Sequence, residues 1–471
     1  MSHNIKFDVL TADLKCIQAL LNSNLTTSQC LIDAYLSQIQ KHDANLHAMI
    51  QLAPIDLLAK RASELDNERE TGKLRGPLHG IPIIVKLIAA GAIILGKTNL
   101  SWSNDPRGSM MRSGWSAVGG QTMSAYVDKD KVDPTDGKDG HSSPSGSSSG
   151  SAVGVSAGYA PVAIGAETDG SLICPAGRAA LYTIKPSIGV VSQDGIVPIS
   201  SNFDSAGPMS KTVYDLAVVL DVISERDASN SFTSNLGGTM EDFSVATLDP
   251  NIWKFPDTFM RPVPEAVKQT LHDISNAYQV VKSKAKRFAS NVPLTTIDKF
   301  DLDDKNSELL VTSVDMQSAL NDYLKNLEES EVRSIRDIID FNNQHADNEL
   351  PGHHPRQDVL IEADEVQLSR ETYQRHLAHL RKVCRDEGID SILEHYGVDI
   401  IIGPADSFIT SLATGSGYPI AGMPLSYLDF NGRPLGLAAL AGKNQDALLI
   451  KFLSAWEATF PQRQPPPSLV E

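Results

Sequence analysis

Leu31, Ile32, Tyr35, Leu36 and Ile39 share one face of a 3.6-residue period. Thr26-Thr-Ser-Gln29 precedes them with the form of a capping box, so a helix is predicted to about Lys41. A second amphipathic segment runs from Ile55 to Glu70, with Gly72 as its stop signal. The pattern then changes. Ile81–Val85 and Ala92–Leu95 are continuous apolar runs, the signature of strands buried on both faces. Only Lys86–Gly91 separates them, whereas a parallel crossover takes about a dozen residues or more. Ser151–Tyr159 reads as a helix of small residues, Val162–Gly165 as a buried strand and Thr212–Ile223 as a helix packed beneath it. Helical periodicity recurs at 264–278, 307–328 and 364–385, with a Pro/Gly/His break at 351–355. Asp399–Pro404 is a further buried strand, and Tyr418–Tyr427 leads into Asn431-Gly432, a type I′ hairpin signal, with Leu435–Leu440 returning. Strands and helices alternate without an internal repeat, and the sheet closes late in the chain.

Between these elements lies His141-Ser-Ser-Pro-Ser-Gly-Ser-Ser-Ser-Gly-Ser151, with Glu167-Thr-Asp-Gly-Ser171 at the end of the next strand. A Ser/Gly run alone is most often a flexible linker. Here a helix, a strand and a second turn follow at once, which a linker does not need. Gly146-Ser-Ser-Ser-Gly150 also matches the G-x-S-x-G nucleophile elbow with Ser148 at its centre, but polar loop, not a strand, precedes it. The third reading is a pair of serine turns whose backbone N–H groups converge on one point, the geometry a nucleophile beside an oxyanion site requires.

These segments resemble the amidase signature family. The resemblance rests on Ser145–Ala152 and Gly165–Ala176, on Ile184-Lys-Pro-Ser187, on Asp204–Met209, on Arg75–Lys86 and on Gly417–Pro424. It covers about half of the chain, and SGWSAVGGQT with TDGSLICPA is most similar to the fungal and peptide-amidase-like branch. The family spaces its bridging serine and its nucleophile 24 positions apart, and 171 − 147 = 24. The resemblance implies an α/β amidase signature fold: a mixed central sheet with helices on both faces, and a helical cap from the middle of the chain. One domain over 1–471 is expected, with a signature core at 75–225, a divergent cap region at 226–395 and a C-terminal part, 396–471, that completes the sheet.

For chemistry the resemblance implies hydrolysis of an amide C–N bond. Ser171 would be the nucleophile that forms an acyl-enzyme, Ser147 the relay after a cis Gly146–Ser147 peptide, and Lys86 the base. The backbone around Thr168, Asp169 and Gly170 would hold the oxyanion. A lysine can serve as base when burial favours its neutral form, and Ser–Lys sites are known variants of the histidine triad. The short segment after Lys86 leaves two further readings open. Where the family carries a longer insert, Lys86-Leu-Ile-Ala-Ala-Gly91 could instead be the end of a later helix joined by a deletion, giving an impaired homologue. The same site could also serve an esterase or acyl transferase.

Composition narrows the classes. The chain has 471 residues, 41% hydrophobic and 21% charged, with 58 acidic against 41 basic side chains and a formal charge of −17. No basic stripe suggests nucleic acid, and no apolar run is long enough to span a bilayer. Cys16, Cys30, Cys174 and Cys384 are scattered, and the twelve histidines form no ligand pattern, so neither metal nor other cofactor is expected. Cys174 is expected to be buried, and His353 and His354 to be solvated. The N-terminus lacks the apolar core of a signal peptide, and a cytoplasmic enzyme acting on a small-molecule amide is the expectation. The sequence leaves the oligomeric state open.

Overall fold

The computed structural model describes residues 7–84, 91–101, 107–133, 135–224 and 228–470. Its centre is an eight-stranded mixed sheet. In chain order the strands are β1 (Val162–Glu167), β2 (Tyr182–Lys185), β3 (Ser205–Ser210), β4 (Ser244–Thr247), β5 (Arg287–Ala289), β6 (Ile400–Pro404), β7 (Ile420–Tyr427) and β8 (Pro434–Ala441). Across the sheet they lie in the order β5-β4-β6-β8-β7-β2-β3-β1. The β5–β4 and β4–β6 pairs are parallel and the others antiparallel.

Alternation along β6 shows why both faces are covered. Ile400 and Ile402 join one apolar cluster with helices Val213–Ile223, Pro264–Lys284 and Asp446–Thr459. Ile401, between them, points to the other face, where Ile409–Ser416 and Arg370–Cys384 pack. All eight residues of β8 are buried, as a central strand between helical layers requires. The N-terminal helices Leu14–Asn22, Ser28–Leu46 and Ile55–Glu70 form a third cluster with Ser149–Ser156. This is the α/β architecture that the sequence resemblance implied.

Several local expectations change. The first predicted helix is capped by Thr27, whose side chain accepts from the Cys30 amide, and it runs on to Leu46. Within the apolar runs after Gly80, Pro82–Ile83 and Ile93–Ile94 pair in parallel outside the main sheet, while Val85 at the end of the first run lies outside the described residues. The 364–385 segment is two helices, Asp358–Glu365 and Arg370–Cys384. Residues 226–395 are not only helical, since they supply β4 and β5 to the sheet. Their later helices, Ser307–Lys325, Ile335–Gln344 and Asp358–Glu365, gather in a separate cluster around Met316, Leu320 and Ile339.

Asn431-Gly432 does not form a type I′ turn. Only Gly432 has positive φ, at 82°, and the loop between β7 and β8 is longer. Asn431 is buried instead. Its Nδ2 donates to the His141 carbonyl at 3.0 Å and its Oδ1 accepts from the Arg433 amide at 3.1 Å. His354 is buried rather than solvated, stacked on Trp115 with ring centroids 4.7 Å apart. Burial holds its pKa down at about 4.

Candidate active site

The first serine turn is built from small residues so that backbones can meet. Ser145 has φ of 61°, the Gly146–Ser147 peptide is cis as the resemblance implied, and the helix Ser149–Ser156 starts immediately after. Every residue of that helix is buried. Gly150 passes so close to its neighbours that an added Cβ would lie 2.3 Å from the Ala48 carbonyl oxygen and 2.5 Å from that of Asn99. The Gly150 amide donates to the Asn99 carbonyl at 2.9 Å, and the Ser101 amide donates to the Ser147 carbonyl at 3.0 Å. Neither the linker nor the elbow reading fits this arrangement. Ser148 follows a loop, and its hydroxyl donates to the Ala166 carbonyl and accepts from the Ala166 amide, each at 3.2 Å.

The second turn leaves β1. Glu167 ends the strand, and its Oε2 accepts from the amides of Leu172 (2.7 Å) and Ile173 (2.9 Å), at the start of the short helix Ile173–Gly177. A carboxylate is favoured at a helix N-terminus. Gly170 takes φ of 77°, which an L side chain rarely adopts, and turns the chain toward Ser171. The Ser148 amide donates to the Ser171 carbonyl at 3.2 Å, so the turn bearing Ser147 is bonded directly to the turn bearing Ser171. Among the described residues, neither the Ser147 nor the Ser171 hydroxyl has a hydrogen-bond partner. Thr168, Asp169 and Gly170 lie on the connecting loop. Lys86 lies outside the described residues.

A buried charged frame holds this loop. The Lys185 ammonium, fully buried in β2, donates to the Thr168 carbonyl at 2.8 Å, and Thr414 Oγ1 donates to the same carbonyl at 2.8 Å. The Thr168 hydroxyl donates to Asp204 Oδ1 at 2.7 Å, while Asp204 Oδ2 accepts from the Ile199 and Ser200 amides at 2.8 Å each. Ser411 donates to Asp169 Oδ2 at 2.7 Å. Burial lowers the pKa of Lys185 and raises that of Glu167, with each charge opposing the other's shift. Burial also raises the pKa of Asp204, against its amide and hydroxyl donors.

A cavity of about 350 Å³ opens over the turns. Ser147, Ser148, Glu167, Thr168 and Asp204 contribute its polar side, and Ile50, Leu100, Ile196–Ile199, Met316 and Leu320 its apolar walls. The divergent middle of the chain thus reaches the cavity through Met316 and Leu320. Thr414 supports the Thr168 carbonyl from behind. Cys174 is buried as expected, its Sγ 3.6 Å from the Ala405 carbonyl oxygen. Among the described residues no cluster of His, Cys, Asp or Glu could hold a metal ion, and no helix is long and apolar enough to cross a membrane.

Sequence reasoning assigned no role to Lys185, Thr414 or Arg178. Arg178 lies beneath the first turn and donates to the carbonyls of Asp139 (2.8 Å), Gly140 (2.7 Å) and Ser143 (3.2 Å). The polar loop that precedes the serine turn is therefore buried at its end, where Asp136, Asp139 and His141 lie inside. A lone cation within an apolar run was the available signal for both Lys185 and Arg178.

Comparison with known proteins agrees with this geometry. The family model described as Amidase matches residues 84–450. The structure is similar to that of native peptide amidase from Stenotrophomonas maltophilia, with a TM-score of 0.83 and 31% identity over 97% of this chain and 98% of that one. An amidase-family protein of Schizosaccharomyces pombe is 29% identical, covering 96% of this chain and 86% of its own length. Another from Arabidopsis thaliana is 27% identical, covering 98% and 92%. The chain belongs to the amidase (amidase signature) family and is an amide hydrolase.

Proposed function

We propose that Ser171 attacks the carbonyl of a small-molecule amide and carries the acyl group, with Ser147 relaying the proton and Lys86 as the base that the family resemblance implies. The backbone N–H groups around Thr168, Asp169 and Gly170 stabilise the oxyanion. The amine leaves, and water releases the acid. The observation that carries this reading is the 3.2 Å bond from the Ser148 amide to the Ser171 carbonyl, which keeps on adjoining turns two serine hydroxyls that have no partner among the described residues. Serine needs such help because its hydroxyl is a weak nucleophile at neutral pH. A 2.8 Å donor from Lys185 keeps the Thr168 carbonyl turned to the protein interior, which favours amides rather than carbonyls facing the reacting group.

The test is covalent trapping. A serine-directed fluorophosphonate should add once per chain, and peptide mapping should place it on Ser171. Ser171→Ala, Ser147→Ala and Lys86→Met should each lower amide turnover by about 1000-fold or more. Labelling elsewhere, or Ser171→Ala at full activity, overturns the nucleophile assignment. Full activity in Lys86→Met overturns the base.

A further inference from the structure

Among the described residues, three charged side chains line the cavity: Lys97, Glu167 and Asp204. The two carboxylates bond to the protein, Glu167 through Oε2 to the Leu172 and Ile173 amides, and Asp204 to the Ile199 and Ser200 amides and the Thr168 hydroxyl. Lys97 is exposed, and among the described residues its ammonium has neither a hydrogen-bond nor an ion-pair partner.

Its backbone is fixed against the serine turn. Lys97 lies in the strand Gly96–Thr98, paired antiparallel with Met49–Leu52 in register with Gln51. Thr98 Oγ1 is 3.0 Å from Ser151 Oγ, and Asn99 Nδ2 donates to the His47 and Gly120 carbonyls and to Thr122 Oγ1. The Asn99 carbonyl accepts from Gly150, and two residues on Ser101 bonds to Ser147. The backbone of Lys97 is thereby held at a set place relative to the serine turn, on a cavity wall shared with the apolar Ile50 and Leu100.

We propose that Lys97 receives a carboxylate on the substrate, so that the preferred amides carry an anionic group beside an apolar body. Solvent-exposed Leu100 and Val197 supply apolar surface at the cavity. This inference rests on the reading of the cavity as the amide site and deepens it. Lys97 is a specificity-determining residue, with no part in bond cleavage.

Binding tests it without turnover. The probes are 3-phenylpropanamide, its ring para-carboxylate and its para-aminomethyl analogue, titrated calorimetrically at low salt into full-length Ser171→Ala protein. The carboxylate should bind at least tenfold more tightly than the neutral amide. Adding Lys97→Met should erase that preference, Lys97→Arg should keep it, and Lys97→Glu should transfer it to the aminomethyl compound. Equal affinities in the Lys97-containing protein, no measurable binding of the carboxylate, or a preference that survives Lys97→Met overturns the proposal. Turnover of 3-phenylpropanamide by Ser171→Ala separately overturns the nucleophile assignment, while the binding series still decides Lys97.

Discussion

Asp406→Asn should destabilise the fold and slow the enzyme together, because a single carboxylate bridges two buried guanidiniums beneath the serine turn. Asp406 Oδ1 is 2.9 Å from Arg178 Nε, and Oδ2 is 2.5 Å from Arg433 Nη1. The arginine side chains are 1% and 2% exposed and the aspartate 12%. Burial pushes the Asp406 pKa up, but Arg178 and Arg433 outweigh it and hold it at about 2. Removing one partner of a buried ion pair costs about 3–5 kcal/mol, because the remaining charge stays buried without compensation. Asparagine keeps one acceptor, so the lower figure, about 3 kcal/mol, is expected.

Linkage gives an independent value. A carboxylate with pKa 3.8 in the unfolded chain and about 2 in the fold stabilises the fold above pH 3.8. At about 1.36 kcal/mol per pH unit the contribution is about 2.5 kcal/mol, lost as pH falls from 3.8 to about 2. The assay is unfolding of both proteins by urea from pH 7 down to pH 3. Near pH 7 the variant should be less stable by about 3 kcal/mol, or about 3 °C in Tm for a chain this long. The gap should narrow below pH 4, since asparagine does not titrate. His141, which burial and then Arg433 and Arg178 hold at about 3, destabilises both proteins below pH 6.5 and largely cancels in the difference. Arg178 also anchors the carbonyls of Gly140 and Ser143, so amide turnover at 25 °C should fall about tenfold or more as Ser147 shifts. A gap under about 1 kcal/mol at pH 7, or one unchanged between pH 6 and pH 3, refutes the reasoning.

Two further substitutions test the backbone. Gly150→Ala places a Cβ 2.3 Å from one carbonyl oxygen and 2.5 Å from another, both backbone atoms, so it should cost about 3 kcal/mol or more and appear as a lowered Tm or insoluble expression. Ala180 sits at φ of 52°, in the left-handed region, and Ala180→Gly should raise stability by up to about 1 kcal/mol in urea unfolding.

What was legible in the sequence was local. The two serine turns, the small-residue helix and β1 announce themselves within thirty residues, and their contacts are short in sequence as well as in space. The frame around them is not local. Arg178 meets Asp406 across 228 positions, and Thr414 reaches Thr168 across 246. No periodicity encodes such pairs, so a buried cation reads only as an oddity in an apolar run. Asn431 shows the opposite failure: a strong turn signal was overridden because its amide satisfies the His141 carbonyl 290 residues away. Likewise His354 lies in a Gly/Pro loop that reads as solvated, yet Trp115 and Arg107 enclose it.

The Ser/Gly content that invites a linker reading is what the site needs physically. A helix of large apolar residues at Ser149–Ser156 would bury more area, at about 25 cal/mol per Å², but would hold its neighbours' backbones apart. Serines and glycines forgo that area and bring main chains into contact. The hydroxyls then satisfy themselves inside: Ser149 donates to the Ser145 carbonyl at 2.6 Å, Ser151 to that of Ile164 at 2.9 Å and Ser156 to that of Val153 at 3.0 Å. Close approach through Gly150, and hydrogen bonds in place of apolar volume, let the Ser148 amide reach the Ser171 carbonyl. Enlarging any of these side chains should therefore separate the two turns before it disturbs the sheet, and activity should fail at smaller perturbations than folding does.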